Sequence, residues 1–288
     1  MAEGNDSVRE HMVEVDGRRL HVLEKGEGDD VLYFLHGNSE TAYNWLEVWS
    51  HLQTRWRLIA LTMPGYGDSE REWRVAHTLR HLARISLTAL SRLGIERATL
   101  VGHSQGGGVS LAAALQEPRR VRGLALLASI GVPFEDEGLG RNRLIPRRPR
   151  VWFEWFLRTK RGQSILREQL AQGIEQTTHP VVPDLSTPEW QRDLSIWSRA
   201  RHIIAANEDL KLLSRELRDI YDQFVHIEVP TLVLAAREDQ LIPVEAGEIL
   251  ARRLPKGQLD VVPGAGHFFI RTHSGEVANR LEKWLSTV

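Results

Sequence analysis

In ATLVGHSQGGGVSLAAAL (98–115) an apolar run enters a serine flanked by glycines and leaves through small residues and leucine. No other feature restricts the fold of this chain more. The run before Gly102 is short and apolar, as a buried strand is, and Gln105 to Leu115 suits a helix lying close to a sheet. A strand that turns into a helix around a single residue leaves no room for side chains beside the apex, so Gly102 and Gly106 permit the turn. Gly107 and Gly108 let the helix approach the strands. A phosphate-cradling loop does not fit. No Lys-Ser/Thr follows, and the glycines are not spaced as G-x-G-x-x-G.

The same alternation surrounds this unit. HMVEV (11–15) and RLHVLEK (19–25) flank Asp16-Gly17 and predict a hairpin. VLYFLHG (31–37) and RLIALTMPG (57–65) predict strands, the first buried on both faces. A helical stripe follows from Val75 to Leu93, with Gly94 as its stop. VRGLALLAS (121–129), TLVLAA (231–236) and QLDVVP (258–263) predict further strands, with helices at 244–254 and 274–286. Strands alternating with helices imply an α/β fold: a mostly parallel sheet with helices on both faces.

Residues 132–226 break the rhythm with no convincing strand and helical patterns at 151–172, 188–206 and 210–224. The expected organisation is an α/β core of residues 1–131 and 227–288 with a helical cap, 132–226, inserted between its halves. With 288 residues, 42% of them hydrophobic, a sizeable core is available. The formal net charge of −1 gives no reason to expect nucleic acid or an anionic membrane as partner. The absence of cysteine excludes disulfides, thiolate metal sites and a cysteine nucleophile. The polar start MAEGNDSVRE and the lack of a long apolar run predict a soluble, cytoplasmic protein.

Gly102-His103-Ser104-Gln105-Gly106 is a G-x-S-x-G sequence between strand and helix, which points to Ser104 as a nucleophile. A serine hydroxyl needs a base, and the base needs a partner that orients it. Asp239 lies just past the 231–236 strand and His267 just past the 258–263 strand, so the order is Ser, Asp, His. His267 would move the proton and Asp239 would hold its imidazole. An acyl-transfer site also needs two N–H donors for the oxyanion. Gln105, after the nucleophile, and Asn38, in HGN after the 31–35 strand, are the expected pair. Both act there through the backbone, which leaves the Asn38 side chain for substrate.

With these parts in place the chain resembles α/β-hydrolase-fold enzymes that use a serine nucleophile and carry a helical cap. The resemblance implies an eight-stranded type of sheet, no cofactor and no metal. It also implies a small-molecule substrate, an ester, lactone, thioester, amide or activated carbon–carbon bond, cleaved through an acyl-enzyme. MPGYGDSE (63–70) resembles the family's next loop, although Met63 replaces its usual acid, and Ala236 stands where glycine is common before the catalytic acid. HGNSETAYNW is similar to a stretch of haloalkane dehalogenases. Those enzymes, like epoxide hydrolases, use an aspartate nucleophile where this chain has Ser104, so neither activity is implied.

Rivals exist for each role. Glu238 adjoins Asp239, and Glu135 and Asp136 follow the 121–129 strand in a charged loop. His36, His103 and Phe268 are candidates for the substrate pocket, with His36 and His103 also readable as packing residues. Trp152, Trp155 and Phe156, at helical spacing, could line the pocket from the cap or form the cap's own core. The arginines at 141–150 read as a solvated face. The expected function is hydrolysis of a medium-sized, largely apolar ester or lactone. A carbon–carbon hydrolase, or a lyase or cyclase on the same site, is the nearest alternative. A binding protein without turnover is the alternative of another class.

Overall fold

A computed structural model describes residues 7–133, 155–157 and 159–288. The hairpin forms as expected: β1 (Arg9–Val15) pairs antiparallel with β2 (Arg18–Lys25). Asp16 and Gly17 both take positive φ, 50° and 70°, the conformation that a two-residue turn between twisted strands requires. The remaining strands are β3 (Val31–Leu35), β4 (Arg57–Leu61), β5 (Ala98–His103), β6 (Val121–Leu127), β7 (Thr231–Ala236) and β8 (Gly257–Val262). They form one eight-stranded sheet in the order β1-β2-β4-β3-β5-β6-β7-β8. Pairing is parallel from β4 through β8, and the hairpin joins antiparallel at the β2 edge.

The apolar runs are explained by cover on both faces. Val31, Tyr33 and Leu35 of β3 belong to one core with α2 (Leu79–Arg92) and α3 (Gln105–Gln116). Leu32 and Phe34 belong to a second core with Trp45, with Trp49 of α1 (Leu46–Trp49) and with Trp284. Strand side chains alternate between faces, so one short run feeds both layers. α2 begins later than the apolar stripe suggests, because the Thr78 hydroxyl accepts the His81 N–H and caps it.

β3 pairs with β4 on one side and β5 on the other, so the connections leave it in opposite directions. The carboxyl ends of strands at such a reversal bound a natural crevice. His36-Gly37-Asn38 and Ser104 both lie there.

Between β6 and β7 the described residues hold no strand, and the longer helices there are α4 (Lys160–Thr178), α5 (Pro188–Trp197) and α6 (Ala200–Tyr221). The expected breaks were misplaced. Asn207-Glu208-Asp209 reads as a polar gap between two helices, but α6 runs straight through it because Asp209 faces inward. The real break is at Ser198-Arg199. After the insertion come α7 (Val244–Arg253), α8 (Phe269–Thr272) and α9 (Ser274–Leu285). Among the described residues no helix is long and apolar enough to cross a membrane.

Candidate active site

Ser104 stands between β5 and α3 with φ 50° and ψ −116°, a sparsely populated conformation for any residue but glycine. Such strain, of order 1–3 kcal/mol, persists only where the surroundings impose it. Here the glycines impose it. A Cβ on Gly102 would lie 2.4 Å from the Gly106 carbonyl oxygen, and one on Gly106 would lie 2.1 Å from that of Leu35. A Cβ on Gly107 would meet Ser129 Oγ at 2.0 Å. Gly108 is looser, 3.3 Å from the Leu79 side chain, which agrees with a packing role.

Asp239 follows β7. Its Oδ1 accepts the N–H groups of Leu241 and Ile242 at 2.7 and 2.8 Å, which aims Oδ2 at His267 Nδ1, 2.7 Å away. Both side chains are buried. Glu238, the adjacent rival, is engaged elsewhere: its Oε2 accepts the Ala265 N–H at 2.9 Å. Glu135 and Asp136 lie outside the described residues. The loop of His267, the expected base, is held close to Ser104 through its neighbour, since His103 Nε2 donates to the His267 carbonyl at 2.9 Å and the two rings are 5.0 Å apart. No hydrogen bond joins Ser104 to His267 itself in this structure.

His103 Nδ1 lies 2.7 Å from Glu40 Oε1. Both ring nitrogens therefore face acceptors, and only the doubly protonated imidazolium satisfies both. Burial alone would lower its pKa; the Glu40 carboxylate and its hydrogen bond outweigh this and raise it. Burial would likewise raise the Glu40 pKa, and the His103 charge and hydrogen bond bring it below the usual range. Glu40 Oε2 also accepts the Gly37 N–H at 3.0 Å, so a buried ion pair ties the HGN loop to the serine turn and to the His267 loop.

His36 is different. Its Nδ1 donates to the Gly37 carbonyl at 2.7 Å and its Nε2 accepts the Met63 N–H at 2.8 Å, so it is neutral, and burial lowers its pKa to about 4. Neither His36 nor His103 keeps a ring nitrogen for substrate. They fix loops, which is the packing reading of both residues. Met63, despite replacing the family's acid, uses its backbone to anchor this loop.

The Asn38 side chain is not free either. Its Nδ2 lies 3.1 Å from Tyr66 Oη, 3.1 Å from Gln105 Oε1 and 3.0 Å from the Ala206 carbonyl oxygen, three acceptors sharing two protons. The backbone roles expected of Asn38 and Gln105 are compatible with this, because their side chains are held away while the loops stay in place.

The aromatic expectation also changes. Trp155 is 61% exposed, and Phe156 packs on the small cluster of Leu157, Leu166, Ile203 and Ile204. Trp152 lies outside the described residues. It is Trp190 and Trp197 of α5 that come to the His267 loop, with ring centroids 5.9 and 6.0 Å from Phe268. Phe268, also expected at the pocket, thus packs beside two tryptophans of α5. α4 closes on the same loop. The Phe268 N–H donates to the Thr177 carbonyl at 2.7 Å, and a Cβ on Gly266 would lie 2.0 Å from the His179 carbonyl oxygen.

Two buried carboxylates complete the junction. Asp193 of α5 accepts from Arg271, Arg192 and Asn44. Asp209 of α6 accepts from Arg71 at 2.8 Å and from Tyr66 Oη at 2.8 Å. Asp209 had a legible signal: Ala205, Asp209, Leu213, Leu217 and Ile220 share the buried stripe of one helix, with a charge in the middle. Glu40 and Arg71 had none, since their burial depends on distant elements. Among the described residues no group of His, Asp and Glu side chains is arranged to hold a metal.

The alpha/beta hydrolase fold family matches residues 30–274. The chain is 30% identical over 270 residues to a 2-hydroxy-6-oxo-2,4-heptadienoate hydrolase of Pseudomonas putida, covering 89% of both chains. It is 28% identical over 278 residues, 93% of its length, to the dihydrolipoyllysine-residue acetyltransferase component of an acetoin cleaving system of Pseudomonas putida, and spans 66% of that protein. In structure it resembles a serine hydrolase involved in carbazole degradation, with a TM-score of 0.76 and 21% identity, over 98% of this chain and 100% of the other.

Proposed function

This chain belongs to the alpha/beta hydrolase fold family, and from that premise we propose that it hydrolyses a carbonyl substrate with Ser104 as nucleophile, His267 as base and Asp239 as the residue that orients the base. The observation that carries this reading is the 2.7 Å bond from Asp239 to His267 Nδ1 beside a serine held at φ 50°. With Nδ1–H held by Asp239, Nε2 is the nitrogen that takes the Ser104 proton as Oγ attacks the carbonyl carbon. The N–H groups of Asn38 and Gln105 receive the oxyanion, each such donor being worth about 10²–10³ in rate. His267 returns the proton to the leaving group, then activates a water that releases the acyl group from Ser104.

Residues 132–226 act as the cap in this reading. Trp190, Trp197 and Phe268 supply an apolar wall beside the base, which suits a medium-sized, largely apolar ester or lactone. A second reading is favoured by the relative that acts on 2-hydroxy-6-oxo-2,4-heptadienoate. That compound has no ester bond, so its hydrolysis splits a carbon–carbon bond. Assay against p-nitrophenyl esters of graded length, lactones and a 2-hydroxy-6-oxo-dienoate, in ¹⁸O-labelled water, separates the readings. We expect label in the released acid, and a fall in kcat on the order of a millionfold for Ser104→Ala. An intact rate in that variant would exclude the mechanism; turnover of the dienoate alone would select the second reading.

A further inference from the structure

The two proposed oxyanion donors sit on different loops, yet their side chains are bonded to each other and to one helix of the insertion. Asn38 Nδ2 reaches Gln105 Oε1 at 3.1 Å and the Ala206 carbonyl oxygen of α6 at 3.0 Å. Tyr66 Oη accepts from the same Nδ2 and donates to Asp209 Oδ2 at 2.8 Å. Gln105 Nε2 faces that oxygen at 3.5 Å, and Arg71 holds the other carboxylate oxygen at 2.8 Å. Two turns before Asp209 on α6, His202 donates from Nε2 to the Ser39 carbonyl at 3.1 Å and accepts the Gly67 N–H at Nδ1, 3.2 Å. Asp209 and the Arg71 guanidinium are buried, at 0% and 2% side-chain exposure.

A buried carboxylate that serves packing alone is a poor design, since an apolar residue of similar size would hold the helix with no desolvation penalty. The value of the charge lies in direction. As an acceptor at the centre of a donor set, it fixes the Tyr66 hydroxyl proton, and so leaves the Tyr66 lone pair to Asn38 Nδ2. It also orients the Gln105 amide so that Oε1, not Nε2, faces Asn38. The rotamers of both donor residues then follow from α6.

We propose that Asp209 is a positioning residue that sets the oxyanion hole from the insertion, so that docking of α6 and competence of the Asn38 and Gln105 N–H groups are one event. This rests on the serine-hydrolase reading above. Two N–H groups on separate loops must point at one atom within a few tenths of an ångström, and stabilisation of this kind is steeply geometric. A loosened network therefore acts on the transition state more than on substrate affinity.

The test compares wild type, Asp209→Asn and Tyr66→Phe in kcat and KM for a p-nitrophenyl ester, and in inhibition by a long-chain alkyl trifluoromethyl ketone, whose serine adduct bears an oxyanion. For Asp209→Asn the expected result is a fall in kcat of about 10–100-fold, KM within about twofold, and inhibitor affinity lost by the same factor as kcat/KM. Tyr66→Phe keeps the Arg71–Asp209 pair and removes only the bridging hydroxyl. It is expected to show the same pattern at about tenfold or less, and it carries the test if Asp209→Asn does not fold. A folded variant with unchanged kcat, or with raised KM and unaltered inhibitor affinity relative to substrate, overturns the proposal. If wild type itself neither turns over the ester nor forms the ketone adduct on Ser104, the hydrolase reading fails instead.

Discussion

The strand ends and the helical insertion meet at one place but are held there by different forces. At the strand ends, position is set by close approach of backbone: Gly102, Gly106 and Gly107 have no space for a Cβ, and Ser104 is strained because everything around it is packed. On the insertion side, α5 and α6 add buried charge to the aromatic and backbone contacts made at Phe268 and Gly266. Asp209 with Arg71, and Asp193 with Arg271, are ion pairs whose four side chains are at most 2% exposed. Close packing tolerates no added atom, whereas a buried ion pair tolerates no missing partner. The first region is defined by what cannot be added, the second by what cannot be removed.

Paired glycine substitutions give the widest contrast. Gly106→Ala would force a methyl group against the Leu35 and His36 carbonyl oxygens, and is expected to lose about 4 kcal/mol or more of stability. Gly173→Ala, on the exposed side of α4 with nothing within 4 Å of the added carbon, is expected to gain about 0.5–1 kcal/mol and leave activity unchanged. Urea unfolding measures both, and equal effects of one sign would erase the distinction between the regions.

On the insertion side, Arg271→Met leaves Asp193 buried with Arg192 as its remaining cation. A loss of about 3 kcal/mol is expected, the lower end for breaking a buried pair because Arg192 stays. The double variant Arg271→Met, Asp193→Leu should recover most of it. A single variant as stable as wild type would show that charge does not join α5 to the core.

Acid sharpens the comparison further. His36 on the core side and His202 on α6 are both buried and neutral, with pKa values lowered from 6.5 to about 4 and about 3 by burial. Between those limits the unfolded chain binds more protons than the folded one, so stability falls as pH falls below about 6.5. Each contributes a slope of up to about 1.4 kcal/mol per pH unit. The raised pKa of His103 works the other way, its contribution being present below 6.5 and lost as pH rises through the folded value. Unfolding at pH 7 and pH 5 is expected to show lower stability at pH 5, with a shallower dependence in His202→Gln, whose amide can replace both hydrogen bonds. An unchanged slope would mean that His202 is not held neutral.

The sequence was informative where a local rule decides the outcome. The Asp16-Gly17 turn, the apolar strands and the glycines around Ser104 follow from conformations and clearances that a few adjacent residues dictate. Asp239 and His267 each lie just past a strand end, a place the sequence marks, whereas the bond that occupies Glu238 comes from Ala265, far along the chain. The insertion resisted reading because its decisive contacts are distant. Nothing near Trp190 or Trp197 points to Phe268, and nothing near Asn38 announces that Ala206 will occupy its amide. Asp209 carries two readings: beside Asn207 and Glu208 it resembles a polar gap between helices, whereas its spacing from Ala205 and Leu213 marks it as a buried acid on one continuous stripe.

The central claim is that Ser104 is an activated nucleophile, and the most direct measurement is covalent labelling by a fluorophosphonate followed by peptide mapping. The account expects one adduct, on Ser104, absent from Ser104→Ala and formed far more slowly in His267→Ala. No adduct under conditions that label other serine hydrolases, or an adduct on a different residue, would contradict it.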